Sequence, residues 1–330
     1  MDMEFLKKLV EGQNLSAQEA RLAMGAMMEG TLTNAQAAGL LIALKMKGET
    51  AEEISEFAAA MHAHGVRINP SAKPLVDTCG TGGDSSYTFN VSTAAGIIAS
   101  ACGVKIAKHG NRSVSGKCGS ADVLEALGVK MLSPPEVEKC IDELGFGFMF
   151  APLFHPAMKN VMPVRKELGV RTVFNILGPL SNPAGAKRQV LGVYSPLLVP
   201  KLAEVLLKLG AEHALVVHSE GIDEIGLGRT QVCEVLDGKI REFAMHGSDF
   251  GMASSGLPKV HSPQEGAKVL LDVLAGAEGA ALDVSLLNAA AAIYVSGKAA
   301  SIKEGLSIAK QAVPSGAAIE KLRQLQKFGD

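Results

Sequence analysis

Two glycine-rich segments, each between a predicted strand and a predicted helix, constrain the fold of this 330-residue chain more than any other feature. The first reads DTCGTGGD at residues 77–84 and leads to NVST at 90–93, and the second reads KHGNRSVSG at 108–116. Glycine lets the backbone approach a ligand and turn its N–H groups toward an anion, and a helix N-terminus adds unpaired donors. Two such loops in one sheet can hold a ligand with two separate phosphate groups.

The first 70 residues carry the start and stop signals of consecutive helices. Ser16, Thr33 and Thr50 are each followed three residues later by Glu or Gln, as in a capping box, and glycines at 30, 48 and 65 follow where the helices should end. We expect a helical domain over residues 1–70. So short a bundle should bury its apolar faces against the rest of the chain or against a second copy.

After a proline-containing linker at 69–74, short apolar runs alternate with helices. The candidate strands are residues 75–77, 104–107, 129–132, 146–150, 189–194 and 214–218, and Asp237-Gly238 predicts a hairpin. This alternation predicts an α/β fold with a central, mostly parallel sheet flanked by helices. Residues 155–186 lack strand character, so we expect an excursion that packs back on the helical domain. The α/β domain then comprises residues 74–154 and 187–330.

Composition excludes several functional classes. The net charge of -2 does not indicate a basic surface for nucleic acid or an anionic membrane. An aromatic content of 4%, with no tryptophan, does not favour the stacking of bases on aromatic side chains. The longest Ala/Leu-rich tract, residues 269–295, is interrupted by charges and is not a membrane span. Five scattered cysteines without a Cys-x-x-Cys pair are typical of a reducing compartment. The acidic N-terminus lacks the pattern of a signal peptide. We expect a cytoplasmic protein.

The first loop has the residues of a pyrophosphate site. The backbone from Gly80 to Gly83 could wrap a pyrophosphate, with Asp84 beside it for a ribose hydroxyl or a metal-bound water. Asn90, Ser92 and Thr93 should face a phosphate from the first turn of the next helix. A plain turn followed by a helix cap explains the same residues. The second loop adds positive charge and further donors, which makes a second phosphate pocket the better interpretation.

Three other features carry possible chemistry. Asp223-Glu224 follows the strand at 214–218 and suits Mg²⁺, although the pair taken by itself favours an acidic first turn of a helix. Arg165, in the excursion, could clamp a carboxylate in bidentate fashion or be solvated. His109 could pack against a substrate ring or cap its loop.

Long stretches of the chain together resemble the anthranilate phosphoribosyltransferase family. In the family's order they are DTCGTGGD, FNVST, KHGNRSVSGKCGSADVLEALG, APLFHPAMKNVMPVRKELGVRTVFNILGPLSNP and HSEGIDE. The resemblance implies the nucleoside phosphorylase and phosphoribosyltransferase architecture, with the site between a helical and an α/β domain and a homodimer formed through the helical domains. It implies transfer of phosphoribose from 5-phosphoribosyl 1-pyrophosphate to the amine of anthranilate, with Mg²⁺, in tryptophan biosynthesis.

The resemblance also implies site residues, none of them acting as an acid or base. Phosphoribosyl pyrophosphate would be bound by Gly80, Gly83, Asp84, Thr88, Asn90, Val91, Ser92, Thr93, Lys108, His109, Gly110, Asn111, Arg112, Ser113, Val114, Ser115, Gly116 and Ser120. Mg²⁺ would be bound by Ser92, Asp223 and Glu224. Anthranilate would meet Gly80, Asn111, Arg165, Gly178 and Pro179. Positioning would come from Arg165, Asn111, His109 and Lys108.

Two departures from the family pattern and two rival functions accompany this interpretation. Gly116 stands where the family pattern has serine, and Cys118 stands where it often has serine. Both departures leave the backbone N–H donors in place, so they affect closure of the loop more than activity. A pyrimidine nucleoside phosphorylase would need a single phosphate site and a nucleobase pocket. A non-catalytic, nucleic-acid-binding relative would need a basic surface, whereas this chain is slightly acidic.

Overall fold

The computed structural model describes residues 4–83, 86–113, 118–252 and 256–329, and it begins with a bundle of helices. These are α1 (Glu4–Val10), α2 (Ala17–Glu29), α3 (Asn34–Lys47) and α4 (Ala51–Ala63). The capping boxes predicted at Ser16, Thr33 and Thr50 are confirmed, and Gly30 closes α2 in the left-handed conformation (φ 70°). Helix α4 ends with His64 rather than Gly65 as its C-cap.

A seven-stranded sheet forms the centre of the second part of the chain. Its strands are β1 (Leu75–Gly80), β2 (Lys105–Gly110), β3 (Phe146–Phe150), β4 (Arg188–Gly192), β5 (His213–Ser219), β6 (Arg229–Leu236) and β7 (Lys239–His246). Their order is β3-β2-β1-β4-β5-β6-β7; the first five are parallel, and β6 and β7 are antiparallel. The predicted mostly parallel sheet and the hairpin at Asp237-Gly238 are confirmed.

The order of the strands places a crevice at the carboxyl ends of β1 and β4. From β1 the chain moves outward to β2 and β3, and it then crosses to β4 and β5 on the other side. In an open α/β sheet, a ligand site lies outside the carboxyl ends of the strands at this reversal. Both predicted phosphate loops leave the sheet at that edge, because they follow β1 and β2.

Helices cover both faces of the sheet. They are α5 (Val91–Ala101), α6 (Ser120–Ala126), α7 (Pro134–Leu144), α8 (Ala151–Phe154), α9 (Met162–Leu168), α10 (Phe174–Leu177), α11 (Leu198–Lys208), α12 (Pro263–Leu274), α13 (Ala280–Val295), α14 (Ile302–Ala312) and α15 (Ala317–Lys327). Val190 and Leu215 of the sheet join α5 and α13 in one buried cluster, while Leu191 and Val216 join α11 and the helical bundle in another. Alternate strand residues thus serve two cores. Over the described residues, no helix is long and apolar enough to cross a membrane.

Residues 155–186 are helical and pack toward the bundle. Helix α9 contacts α3, and Val164 and Phe174 share a buried cluster with Met24 and Leu41 of the bundle. Apolar burial is the main stabilising contribution to such packing. The domain boundaries at residues 70, 74, 154 and 187 stay predictions.

The strand predicted at residues 129–132 is wrong. The chain turns at Gly128 (φ 80°), and the N–H of Val129 donates to the carbonyl of Leu124, which closes the end of α6. Val129 is buried against the core, whereas Met131 and Leu132 are only partly buried against it. The apolar run therefore packs as a connection between α6 and α7 without a strand partner.

Candidate functional site

The first glycine-rich loop continues from β1 and lies beside the end of β4. The N–H of Thr81 donates to the carbonyl of Gly192 at 2.9 Å, which extends the pairing of the two strands by one bond. Gly82 and Gly83 then take φ values of 63° and 72°, in the left-handed region that favours glycine. The sequence GTGG thus makes a tight turn at the predicted place. Asp84, predicted to lie beside a ribose, is outside the described residues.

Asp223 and Glu224 lie in the turn after β5 and face both the first loop and the start of α5. The N–H of Gly82 donates to Oδ2 of Asp223 at 2.7 Å, and the N–H of Ser92 donates to Oε1 of Glu224 at 3.1 Å. A Cβ on Gly80 would lie 2.6 Å from Oδ2 of Asp223, so any other residue here would displace this carboxylate. The acidic pair does not open a helix, and that alternative is wrong. The structure brings together the three predicted metal ligands.

Helix α5 begins at Val91, and Asn90 is its N-cap. The amide of Asn90 makes no cap bond; its Nδ2 donates to the carbonyl of Cys118 at 3.3 Å, and its Oδ1 accepts from the thiol of Cys118 at 3.3 Å. Oγ1 of Thr93 is buried and has no hydrogen-bond partner among the described residues. Thr88 precedes the helix in a short bridge to Lys259. The first-turn N–H groups of α5 already have acceptors: Ser92 donates to Glu224, and Thr93 and Ala94 donate to the carbonyl of Asn90.

Lys108 lies beneath the first turn of α5. Its ammonium donates to the carbonyl of Thr78 and, at 3.1 Å, to Oγ of Ser92, and only 2% of the residue is exposed. Burial lowers the pKa of Lys108, and the negative charges of Asp77 and Glu224 oppose that shift. The resemblance implied that Lys108 binds phosphoribosyl pyrophosphate, and this stays a prediction. Lys108 supplies a cation below Ser92 and the acidic pair.

Arg112 is turned onto α6. Its Nη1 donates to Asp122 at 3.0 Å and to Glu125 at 2.5 Å, and its guanidinium lies 5.4 Å from the centre of the Phe150 ring. The guanidinium of Arg112 is therefore paired with protein carboxylates in this structure. The sequence had assigned its positive charge to a phosphate of the ligand.

The part of the second loop next to β2 is anchored at the start of α6. Oγ of Ser120 donates to the carbonyl of Asn111 at 3.3 Å, and the N–H of Ser113 donates to Asp122 at 3.1 Å. A Cβ on Gly110 would lie 2.4 Å from Oγ of Ser120 and 2.7 Å from Cε2 of Phe148, so a side chain here would displace both residues. Outside the described residues lie Val114, Ser115 and Gly116.

His109 forms one wall of the crevice with the turn at Gly178–Leu180. Its Nδ1 donates to the carbonyl of Gly178 at 3.0 Å, and its ring lies 5.0 Å from that of His155. Burial is the main cause that lowers the pKa of His109 to about 3, and the nearby His155 adds to it. The next carbonyl, of Pro179, accepts from Nε2 of Gln189 at 2.7 Å, which fixes the turn on the sheet. The imidazole is therefore neutral at pH 7 and part of a rigid wall.

Arg165 lies on α9, with its guanidinium 5.4 Å from the centre of the Phe174 ring. Burial is the one cause that lowers the pKa of Arg165, and no carboxylate among the described residues forms an ion pair with it. A half-buried guanidinium without a protein carboxylate is suited to a carboxylate on a ligand.

Sequence reasoning missed the network around Asp77. This carboxylate is fully buried; it accepts from Nδ2 of Asn182 at 2.7 Å and from the N–H of His109 at 3.1 Å. Nδ2 of Asn182 also donates to the carbonyl of Ala107 at 2.9 Å. Burial raises the pKa of Asp77 to about 6. An aspartate inside an apolar strand was the signal in the sequence, because a buried charge requires partners.

Family models match two parts of the chain. The model described as "Glycosyl transferase family, a/b domain" matches residues 72–319, and "Glycosyl transferase family, helical bundle domain" matches residues 3–65.

The chain is also similar to named proteins over nearly its whole length. An anthranilate phosphoribosyltransferase of Pelotomaculum thermopropionicum is 49% identical over 328 residues, which cover 98% of this chain and 95% of the relative. The structure of the anthranilate phosphoribosyltransferase of Thermus thermophilus has a TM-score of 0.93 at 44% identity, with 99% of each chain covered. The Saccharomyces cerevisiae enzyme in complex with PRPP and Mg has a TM-score of 0.90 at 31% identity, covering 98% of this chain and 96% of that chain.

Proposed function

Because the chain belongs to the anthranilate phosphoribosyltransferase family, we propose that it transfers the phosphoribosyl group of phosphoribosyl pyrophosphate to the amine of anthranilate, releasing pyrophosphate, in tryptophan biosynthesis. The observation that carries the proposal is the convergence of the loop after β1, the start of α5 and the acidic turn after β5. Gly82, Ser92, Asp223 and Glu224 are joined there by backbone-to-carboxylate hydrogen bonds.

Phosphoribosyl pyrophosphate would lie at the carboxyl ends of β1 and β2. In the complex, the first glycine-rich loop and the first turn of α5 would supply N–H donors for one phosphate group, in exchange for acceptors such as Asp223 and Glu224, and the loop that leaves β2 would supply donors for the other. Lys108 adds a buried cation below Ser92, where it offsets part of the negative charge that gathers at the crevice. The residues proposed to bind this substrate remain those of the resemblance: Gly80, Gly83, Asp84, Thr88, Asn90, Val91, Ser92, Thr93, Ser120 and residues 108–116.

Mg²⁺ would be held by Ser92, Asp223 and Glu224. Two carboxylates and a hydroxyl are the hard oxygen ligands that this ion prefers, and their number leaves room for oxygens of a pyrophosphate and for water. The similar yeast enzyme was solved with PRPP and Mg, which supports the same ion here. When bound, Mg²⁺ supplies charge stabilisation for the departing pyrophosphate.

Anthranilate would be positioned on the excursion side of the crevice. Arg165 has no carboxylate partner among the described residues and can orient the carboxylate of anthranilate, while Gly178-Pro179 and His109 form the wall against its ring. Gly80 and Asn111, where the two phosphate loops leave β1 and β2, would lie between the subsites. This arrangement aims the amine at the anomeric carbon.

Catalysis in this arrangement requires no general base. The aromatic amine of anthranilate is weakly basic and already neutral at pH 7, and the imidazole of His109 is neutral as well, because its pKa is about 3. The reaction displaces pyrophosphate from a carbon with oxocarbenium character. The residues of the site therefore contribute positioning, electrostatic stabilisation of the leaving group and exclusion of water.

We also propose a cytoplasmic homodimer that forms through the helical bundle. Val10, Leu22 and Met46 of the bundle are exposed by 74%, 55% and 83%, which leaves apolar surface for a second copy. The five cysteines are free thiols, as a reducing compartment would keep them. Light scattering after size-exclusion chromatography should give twice the chain mass of 34.3 kDa. A single-chain mass at micromolar concentration would contradict the dimer.

Anthranilate fluorescence tests the reaction. Its signal should decay when the protein, phosphoribosyl pyrophosphate and Mg²⁺ are all present, and should stay constant when any one is omitted. A constant signal with folded protein and Mg²⁺ would contradict the transferase. Phosphorolysis of uridine or thymidine would then be assayed, followed by DNA binding.

A further inference from the structure

Arg171 links the segment that carries Arg165 to the first glycine-rich loop. It lies in the connection between α9 and α10, and its Nη2 donates to the carbonyl of Gly83. The same guanidinium lies 4.3 Å from the centre of the Tyr194 ring, just after β4. No carboxylate among the described residues forms an ion pair with Arg171. Its planar group is used instead on a loop carbonyl and on an aromatic face, a combination that lysine cannot reproduce.

The contact anchors the glycine loop at Gly83, the last of its described residues, next to Gly82, whose N–H is held by Asp223. At the near end, Thr81 is fixed by two bonds: its N–H donates to Gly192, and its Oγ1 accepts from the N–H of Tyr194 at 3.0 Å. Gly82 and Gly83 follow, and glycine has the greatest conformational freedom of any residue. Arg171 is bound to the second of these glycines. Tyr194 thus supports the loop twice, through its backbone and through the ring beneath Arg171.

The direction of the Gly83 carbonyl matters for an anion. A loop that binds pyrophosphate must present N–H groups to it and keep carbonyl oxygens away, because a carbonyl dipole repels phosphate oxygens. Arg171 occupies the Gly83 oxygen and holds it on the side of Tyr194.

We propose that Arg171 is a positioning residue for the pyrophosphate end of phosphoribosyl pyrophosphate. It holds the first glycine-rich loop in its anion-binding conformation through Gly83 and ties that loop to the segment bearing Arg165. This inference rests on the proposed function for the identity of the whole substrate. Its core, that the loop binds a pyrophosphate group and that Arg171 orders it, can be tested without anthranilate.

The test compares Arg171→Met and Arg171→Lys with Arg323→Met, a matched control at an exposed arginine of α15. Titration calorimetry with pyrophosphate and Mg²⁺ should show about tenfold weaker binding for Arg171→Met, from loss of one hydrogen bond and one cation–π contact. Arg171→Lys should lose several-fold, and the control should bind like the parent. Tyr194→Leu should weaken binding in the same direction, and Tyr194→Phe, which keeps the ring, less so.

Steady-state kinetics separate positioning from a general structural role. Arg171→Met should raise KM for phosphoribosyl pyrophosphate about tenfold, while KM for anthranilate and the melting temperature change little. Unchanged pyrophosphate binding in Arg171→Met, or equal losses for both substrates together with a lower melting temperature, would overturn the inference. If the parent protein binds pyrophosphate but consumes no anthranilate, the proposed function fails while the calorimetric comparison still decides the role of Arg171.

Discussion

Replacing Asp77 by asparagine tests whether burial raises the pKa of this carboxyl group in the folded protein. In the folded protein the pKa of Asp77 is raised to about 6 by burial, against an ordinary value of 3.8. The folded state therefore binds more protons than the unfolded state between these values, and the free energy of unfolding falls as pH rises through this window. The full effect is about 3 kcal/mol, because each pKa unit corresponds to about 1.4 kcal/mol.

Asparagine is neutral at every pH, so the variant lacks this contribution. The free energy of unfolding of the parent minus that of Asp77→Asn should fall by about 2.5 kcal/mol between about pH 4 and pH 7.5. Urea unfolding followed by circular dichroism at half-unit pH steps measures it, with Asp272→Asn on α12 as an exposed control. A difference that is constant, or that grows with pH, would contradict a raised pKa for Asp77 in the folded protein. In that case Lys108, Asn182 and the His109 N–H would stabilise the carboxylate more than burial destabilises it.

Other predictions concern the bundle, the two subsites and the metal. Glu53→Ala should lower the free energy of unfolding by about 3–5 kcal/mol, because the buried Lys47 ammonium, 2.8 Å away, loses its carboxylate partner and is left with the neutral oxygens of Asn14 and Gly48; a loss below about 1 kcal/mol in thermal or urea unfolding would contradict this. Arg165→Ala should raise KM for anthranilate at least tenfold in fluorescence kinetics while KM for phosphoribosyl pyrophosphate changes little. An unchanged KM for anthranilate would show that Arg165 does not bind its carboxylate. Asp223→Asn should shift the Mg²⁺ dependence of the rate to at least tenfold higher concentration, and a superimposable Mg²⁺ curve would show that this carboxylate is not a ligand.

The helical bundle and the sheet could be predicted because their signals are local. A capping box such as Ser16 with Glu19 lies within four residues, and a strand followed by glycine and a helix lies within about twenty. The run at 129–132 was predicted wrongly for the same reason. Apolar residues of that length suit a strand equally well as a packed connection, and only the absence of a neighbouring strand distinguishes them.

The segments that form the site could be predicted from the sequence, but the contacts that their side chains make could not. Lys108 and Arg112 both belong to a basic loop in the sequence, yet one is buried under Ser92 and the other is bound by Asp122 on α6. The partner of Asp77 is Asn182, 105 residues away. Such contacts depend on the final packing of the excursion against the sheet, which no local pattern specifies.

If this crevice transfers phosphoribose to anthranilate and excludes water, the release of pyrophosphate must be coupled to the consumption of anthranilate. Phosphorus NMR of the reaction mixture, with anthranilate measured in parallel, follows both. We expect one pyrophosphate released for each anthranilate consumed, and almost none when anthranilate is omitted. Release of pyrophosphate at the same rate without anthranilate would contradict transfer and indicate hydrolysis, and no release in the presence of both substrates and Mg²⁺ would contradict the proposed function altogether.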